Sequence, residues 1–218
     1  MAGRGLTTAA LASYQRDRRE DGRAPATINR ELELLRAALR HASKQTPPKL
    51  PAHLIPTIPM LPVENTRTGF LTVAEVKALL VAIDDADVRD FVGWAFRTGM
   101  RRGEISKLTW EMLDHGSEPW VLRIPGTITK NAKGRSFAFD GEARAILDHR
   151  VQARRLDCAL IFHRAGRPVG PFHDLWNSAV KAAGLTPGRL FHDLRRSAVR
   201  NLIRSGVDQT TAMKSRGT

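Results

Sequence analysis

Apolar residues recur at spacings of three and four over most of this chain, which is the pattern of helices that bury one face. The pattern predicts two helices in the first 46 residues, and it assigns Thr27 as the cap of the second one. The apolar stripes of these two helices consist of Leu6, Ala10, Leu11, Tyr14, Ile28, Leu32, Leu35 and Leu39. Two such helices alone make only a thin core.

A proline-rich segment follows these helices. Six prolines lie between Thr46 and Val63, which forbids a continuing helix and favours an extended linker. The sequence therefore predicts a small helical module over residues 1–46, a linker over residues 47–66 and a larger domain over residues 67–218.

The larger domain combines helical spacing with two short alternating runs. Alternation predicts strands over Trp120–Ile124 and Ser136–Phe139, with Ile128 extending the first strand and a turn at residues 131–134. Further predicted elements are a helix capped by Thr72, helices over Val88–Phe96, Glu142–Leu156, Phe172–Ala183 and His192–Ser205, and a short strand over Leu160–Phe162. The predicted fold class is mainly α with a small antiparallel β-sheet.

The charge of the chain is strongly positive. Its 35 Lys and Arg residues exceed its 22 Asp and Glu residues, giving a net charge of +13. A polyanionic partner, with nucleic acid first, explains this excess most simply, although a generally arginine-rich proteome is an alternative. The single cysteine, Cys158, excludes an intramolecular disulfide and a Cys-rich zinc site. No run of apolar residues reaches the length of a signal or a membrane span, so we expect a soluble cytoplasmic protein without a membrane partner.

Two adjacent arginines, Arg101 and Arg102, follow a glycine and precede a new helix. Cations at a helix start oppose the helix dipole, so another reason for their presence is needed. The guanidinium fork suits bidentate phosphate binding, and Glu104 could hold one guanidinium from the same turn. A simple surface ion pair is the alternative.

His192 and Arg195 stand three residues apart, on one face of the last predicted helix. Together they could grip a phosphate and transfer protons around it. Alternatively, His192 merely caps or packs.

Four segments in one order carry a resemblance to a known family. They span residues 98–105 (Thr-Gly-Met-Arg-Arg-Gly-Glu-Ile), 108–110 (Leu-Thr-Trp), 129–135 (Thr-Lys-Asn-Ala-Lys-Gly-Arg) and 192–197 (His-Asp-Leu-Arg-Arg-Ser). The chain thereby resembles the tyrosine recombinases, or phage integrases. The resemblance implies that Arg101, Lys130, His192 and Arg195 are the catalytic residues, with Lys133 as a rival to Lys130. It implies a catalytic domain of that family, preceded by a partial helical core-binding module that clamps DNA.

The family attacks a phosphodiester with a tyrosine hydroxyl and uses no metal or other cofactor. The resemblance implies that the arginines neutralise charge on the phosphate oxygens, that the lysine is the general acid and that the histidine assists proton removal. It also implies double-stranded DNA and other recombinase subunits as partners. The expected DNA contacts are Arg102, Lys133, Arg135, Arg196 and, in a segment resembling the last core-binding helix, Asn29 and Arg30, for which solvated surface is an equal alternative.

The chain departs from the family near its end. Met213, Lys214 and Gly217 match a family segment, but Thr218 stands where a histidine is expected, and the sole tyrosine is Tyr14. We expect a chain truncated relative to the family, through a shortened gene, a frameshift or a fragment, that binds DNA but does not cleave it alone. Supply of a tyrosine by another chain and a non-enzymatic DNA-binding regulator or architectural protein are the alternatives. An RNA-binding module ranks last, since aromatic residues make up only 6% of the chain.

Overall fold

A computed structural model describes residues 5–63, 69–129, 132–139 and 141–204, and the chain forms two compact units, Met1–Arg67 and Thr68–Thr218. The first unit contains helices α1 (Thr8–Glu20) and α2 (Pro25–Ser43). The Thr7 hydroxyl caps α1 by accepting a hydrogen bond from the Ala10 amide at 3.1 Å. The cap predicted for α2 is wrong, because Pro25 begins that helix two residues before Thr27. A proline fits the first helical position, where its fixed φ is suitable and no amide donor is needed.

The core of the first unit is small. Its buried apolar residues are Leu11, Ile28, Leu32 and Ile58. Ile58 comes from the proline-rich segment, which lies against the helices. There Gln15 Nε2 donates a hydrogen bond of 2.7 Å to the Pro59 carbonyl. The extended backbone of this segment thus forms hydrogen bonds with side chains of the helices instead of with a neighbouring strand.

A charged cluster joins α1 to α2. Glu31 accepts hydrogen bonds from Arg18 Nη2 at 2.6 Å and from the Tyr14 hydroxyl at 2.7 Å. The hydrogen bonds from Arg18, and then from Tyr14, lower the pKa of Glu31 to about 2.

The second unit is mainly helical with small antiparallel sheets, in agreement with the predicted fold class. Its helices are α3 (Val73–Val81), α4 (Ala86–Thr98), α5 (Arg102–Ile105), α6 (Gly141–Gln152), α7 (His173–Ala182) and α8 (Phe191–Arg204). Its strands are β1 (Leu113–Asp114), β2 (Trp120–Ile124), β3 (Arg135–Phe139), β4 (His163–Arg164) and β5 (Arg167–Pro168). Strands β1, β2 and β3 form one sheet in that order, and β4 pairs with β5. Within the described ranges, no helix is long and apolar enough to cross a membrane.

Helix α4 is the centre of this unit. Its residues are buried over most of its length, and it packs against α3, α6 and α8. The fully buried Trp94 ring lies 4.7 Å from that of Phe139 and 5.5 Å from that of Phe162, centroid to centroid. The sheet and α8 are therefore placed by the same helix.

Two of the predicted strands differ in the structure. Ile128 does not extend β2 but ends a 3-10 turn, Gly126–Ile128, because Pro125 has no amide donor with which to continue the strand pairing. Leu160 makes only an isolated bridge with Thr109, and the next strand begins at His163. The Thr72 cap is confirmed, since its hydroxyl accepts a hydrogen bond from the Glu75 amide at 3.2 Å.

Candidate functional site

The turn after α4 presents Arg101. The helix ends at Gly99, which adopts a left-handed conformation with φ 63°, a conformation that glycine takes most readily. Met100 is then buried, and Arg101 is the cap residue of α5, where its amide donates a hydrogen bond of 3.1 Å to Glu104 Oε2. The backbone on both sides of Arg101 is therefore fixed.

Glu104 joins two arginines. Arg101 Nη1 lies 3.0 Å from Glu104 Oε1, and Arg135 Nη2 lies 2.6 Å from Glu104 Oε2. The Glu104 side chain is only 3% exposed, against 12% for Arg135 and 27% for Arg101. One carboxylate between two guanidiniums leaves a net positive charge, which suits an anion.

Helix α8 brings Arg195 to the same turn. Arg195 is buried, and its Nη1 donates a hydrogen bond to the Gly99 carbonyl, two residues before Arg101. The helix is held there by Ser197, whose hydroxyl accepts a hydrogen bond of 2.7 Å from the Leu71 amide. His192 lies exposed in the first turn of α8. The structure thus places Arg195 beside the segment that carries Arg101, with His192 one helical turn away along α8.

The hairpin between β2 and β3 approaches this region through Arg135. Lys130 lies outside the described residues, whereas Lys133 is exposed. The two arms of the loop are close together, since a Cβ on Gly126 would lie 2.5 Å from the Ala132 carbonyl oxygen. The Thr129 hydroxyl is 3.0 Å from the Lys133 carbonyl oxygen.

Three other predicted DNA contacts have protein partners. Arg102 Nη2 donates to the Gly170 carbonyl at 2.6 Å and lies over the Phe172 ring. Arg196 lies over the Phe70 ring, 5.1 Å from its centroid. In the first unit, the Asn29 carboxamide brackets Leu61, donating to its carbonyl at 2.9 Å and accepting from its amide at 2.8 Å.

Arg30 is exposed on α2. It therefore remains open to solvent, unlike the neighbouring Asn29, whose carboxamide is engaged with backbone.

Comparison with known proteins shows which family this chain matches. Residues 69–217 match the model of the phage integrase family, which is more than half of the chain. The chain belongs to this family. The matched range includes Arg101, Lys130, His192 and Arg195, and the family matches the resemblance that the four ordered motifs carry.

Relatives of this phage-integrase chain agree. It is 24% identical to the tyrosine recombinase XerC of Lactobacillus delbrueckii subsp. bulgaricus over 205 residues, which cover 85% of this chain and 65% of XerC. It is 28% identical to the integrase of Escherichia phage P2 over 146 residues, covering 66% of this chain and 41% of that integrase. The chain therefore spans less than two thirds of the length of these curated relatives.

Solved structures show the same fold. A lambda integrase fragment, solved as a dimer bound to a COC′ core site, has a TM-score of 0.76 and 18% identity, covering 98% of this chain and 79% of the fragment. The Tn1549 transposon integrase in complex with circular intermediate DNA has a TM-score of 0.73 and 17% identity, and the match covers 98% of this chain and 78% of that integrase chain.

Two contacts of this candidate site are not predicted by the sequence. One is the Gly99 carbonyl that receives Arg195, 96 residues away in the chain. The other is the pairing of Arg135 with Glu104 across 31 residues. Local spacing carries no signal of either contact. The Thr-Gly turn before Arg101 can be recognised in the sequence, but the side chain that donates a hydrogen bond to the Gly99 carbonyl cannot.

Proposed function

We propose that this chain binds duplex DNA through a phosphate site of the tyrosine-recombinase type, formed by Arg101, Lys130, His192 and Arg195. The observation that carries the proposal is the hydrogen bond from Arg195 to the Gly99 carbonyl, because it holds a buried arginine next to the turn of Arg101. Two arginines from distant segments at one turn form a fixed cationic site suited to phosphate.

Each residue type fits a step of phosphodiester chemistry. Attack on the phosphorus builds negative charge on its oxygens, and Arg101 and Arg195 would stabilise that charge without reorganising. His192, exposed at the start of α8, would take up the proton of the attacking hydroxyl. Lys130 would protonate the leaving 5′ hydroxyl.

The helical region supplies a second DNA contact in this proposal. Residues 1–46 would act as a partial core-binding clamp, residues 47–66 as the connection and residues 67–218 as the catalytic-type domain. Among residues 5–46, the exposed arginines are Arg16, Arg19, Arg23, Arg30 and Arg40. Lambda integrase has been solved as a dimer on a core site and as a tetramer on a Holliday junction, which supports other recombinase subunits as partners.

The 218-residue polypeptide would bind DNA without cutting it by itself. Tyr14 is its one tyrosine, and this residue lies in the helical unit. The Tyr14 hydroxyl donates a hydrogen bond of 2.7 Å to Glu31, which raises the pKa of Tyr14 and joins this residue to the charged cluster of the helical unit. Cleavage would need a tyrosine that is not among these 218 residues.

The test combines binding with a covalent trap. The purified chain is incubated with a suicide-nicked duplex of its flanking genomic sequence, analysed on a denaturing gel, and titrated with salt. We expect no covalent band and an affinity that falls steeply with salt, on the order of 10³-fold or more between roughly 50 and 200 mM if six or more phosphates are neutralised.

Variants locate the site. Arg101→Met should weaken binding more than Arg154→Met, because Arg154 is an exposed arginine over the Trp110 ring, outside the proposed site. Equal losses would indicate a non-enzymatic basic surface instead. A covalent band that disappears in Tyr14→Phe would contradict the proposed lack of cleavage.

A further inference from the structure

Arg135 differs from the other cations of the hairpin. Its side chain is 12% exposed and donates to the buried Glu104, and its guanidinium carbon lies 5.2 Å from the centroid of the Phe137 ring. Lys133, two residues before it, is exposed. A guanidinium enclosed between a carboxylate and an aromatic ring is poorly placed to meet a DNA phosphate.

The geometry of Glu104 shows what Arg135 can do instead. The last torsion of a glutamate side chain is broad, so a single partner leaves the carboxylate plane loosely defined. Here Oε1 accepts a hydrogen bond from Arg101 Nη1, while Oε2 accepts from both the Arg101 amide at 3.1 Å and Arg135 Nη2 at 2.6 Å. Arg135 thus adds a short, charged donor from outside the turn of Glu104, which fixes the carboxylate plane more firmly and, with it, the direction of the Arg101 guanidinium.

The same contact anchors the hairpin. Arg135 is the first residue of β3 and pairs with Ile124, the last residue of β2. Its side chain therefore ties the open end of the loop, where residues 125–134 begin and end, to helix α5. Removing Arg135 would release the start of β3 from α5 and loosen the carboxylate that aligns Arg101.

We infer that Arg135 is a positioning residue, which holds Glu104 so that the Arg101 guanidinium faces the phosphate. This inference rests on the proposed phosphate site and replaces the direct DNA contact that the sequence predicts for Arg135. The bound phosphate would touch Arg101, not Arg135.

The first test needs no DNA. The side-chain Nε–Hε signal of Arg101 is recorded by NMR and identified as the signal that Arg101→Met lacks. Arg135→Met is expected to shift or broaden it, while Arg123→Met, which removes a 65% exposed arginine of the same sheet, leaves it unchanged. An Arg101 signal unchanged in Arg135→Met would overturn the inference.

Arg135→Lys guards against a variant that does not fold. It keeps the positive charge beside Glu104 but lacks the guanidinium fork, so a smaller shift of the Arg101 signal is expected. No shift in this folded variant would also overturn the inference. Thermal unfolding of each variant shows which of them are folded.

The second test uses the salt dependence of duplex binding. In an Arg101→Met background, Arg135→Met should leave the slope of log affinity against log salt unchanged, whereas Lys133→Met should reduce its magnitude by about 0.9, the value for one phosphate contact. A further reduction of about 0.9 by Arg135→Met would make it a direct contact. Failure of the wild-type chain to bind DNA would contradict the proposed function alone, since the NMR test decides the positioning role independently.

Discussion

Arg150 is the clearest case of a side chain whose environment determines its role. It is 1% exposed, and it donates to the Ile161 carbonyl at 3.0 Å and to Asp87 at 2.5 Å, with Asp90 at 3.4 Å. Burial raises the pKa of Asp90, although His149 and Arg150 oppose the shift. A charge buried this deeply is stable only when it is paired. The partners of Arg150, which lies in α6, come from α4 and from the segment before β4, so the network joins these three parts of the chain.

Replacing Arg150 by methionine should therefore destabilise the second unit strongly. The substitution leaves Asp87 and Asp90 without their main cation and two carbonyl groups without a donor. We expect a loss of about 3–5 kcal/mol in the free energy of unfolding, measured by urea denaturation.

Arg155→Met is the matched control. Arg155 is 49% exposed and pairs with Asp157 at 2.7 Å, so its loss should lower the free energy of unfolding far less than the loss of Arg150. Equal effects of the two substitutions would show that the buried network does not stabilise the fold.

At the same scale, helical spacing in the sequence predicted one contact of the candidate site but not the others. Arg101 and Glu104 are three residues apart, so their pairing could be anticipated from helical spacing. Nothing local reveals that Arg135, a predicted DNA contact, pairs with Glu104, 31 positions earlier in the chain. Contacts between distant segments depend on packing that periodicity does not encode.

At the scale of elements, the junction between α4 and α8 is tight. A Cβ added to Gly99 would lie 3.3 Å from Ala198 Cβ, and the residue has φ 63°. Glycine thus serves twice, by ending α4 and by allowing the close approach of α8. The helix that carries His192 and Arg195 is placed by this contact.

Gly99→Ala should lower the unfolding temperature. An alanine in the left-handed conformation costs about 1–2 kcal/mol, and its methyl group also crowds α8. Gly103→Ala in α5 should instead stabilise the chain by about 0.5–1 kcal/mol, because no atom lies within 4 Å of the added Cβ. Calorimetry that gives both substitutions the same sign would contradict this account.

Element positions were predicted well where the spacing is regular. The last helix was expected at residues 192–205 and lies at Phe191–Arg204, and the α4 pattern of Val88–Phe96 lies inside Ala86–Thr98. Errors occur at proline. Pro25 begins α2 before the expected cap, and Pro125 ends β2 before Ile128. At these two prolines, the missing backbone N–H group determined where the element begins or ends, and the side-chain pattern did not.

At the scale of the whole molecule, the two units have unequal cores. Among the described residues, the first unit has four buried apolar residues in its core, and the second unit has a far larger buried cluster. A small core leaves electrostatic contacts a greater share of the stability of the first unit. The Glu31 cluster between α1 and α2 is therefore its weak point in acid.

Acid should loosen α1 and α2. The pKa of Glu31 is lowered from 4.5 to about 2, so its contribution to folding is present above about pH 4.5 and is lost as the pH falls toward 2. The protection of α1 amides from hydrogen exchange, corrected for the intrinsic exchange rate at each pH, should fall over this range in the wild type and less steeply in Glu31→Gln. Glu33→Gln, at an exposed position of the same helix, should behave like the wild type, and identical acid profiles for all three would contradict the role of Glu31.

The acceptor of Arg195 has a consequence for the evolution of these chains. The Gly99 carbonyl belongs to the main chain and is present whichever amino acid occupies that position. Substitutions at position 99 therefore do not delete this acceptor, and pairwise covariation between relatives would leave the contact unseen. Glu104 and Arg135 depend on side chains at both positions, so compensating changes there are possible. Of these two contacts, only the one between Glu104 and Arg135 can produce a covariation signal in related sequences.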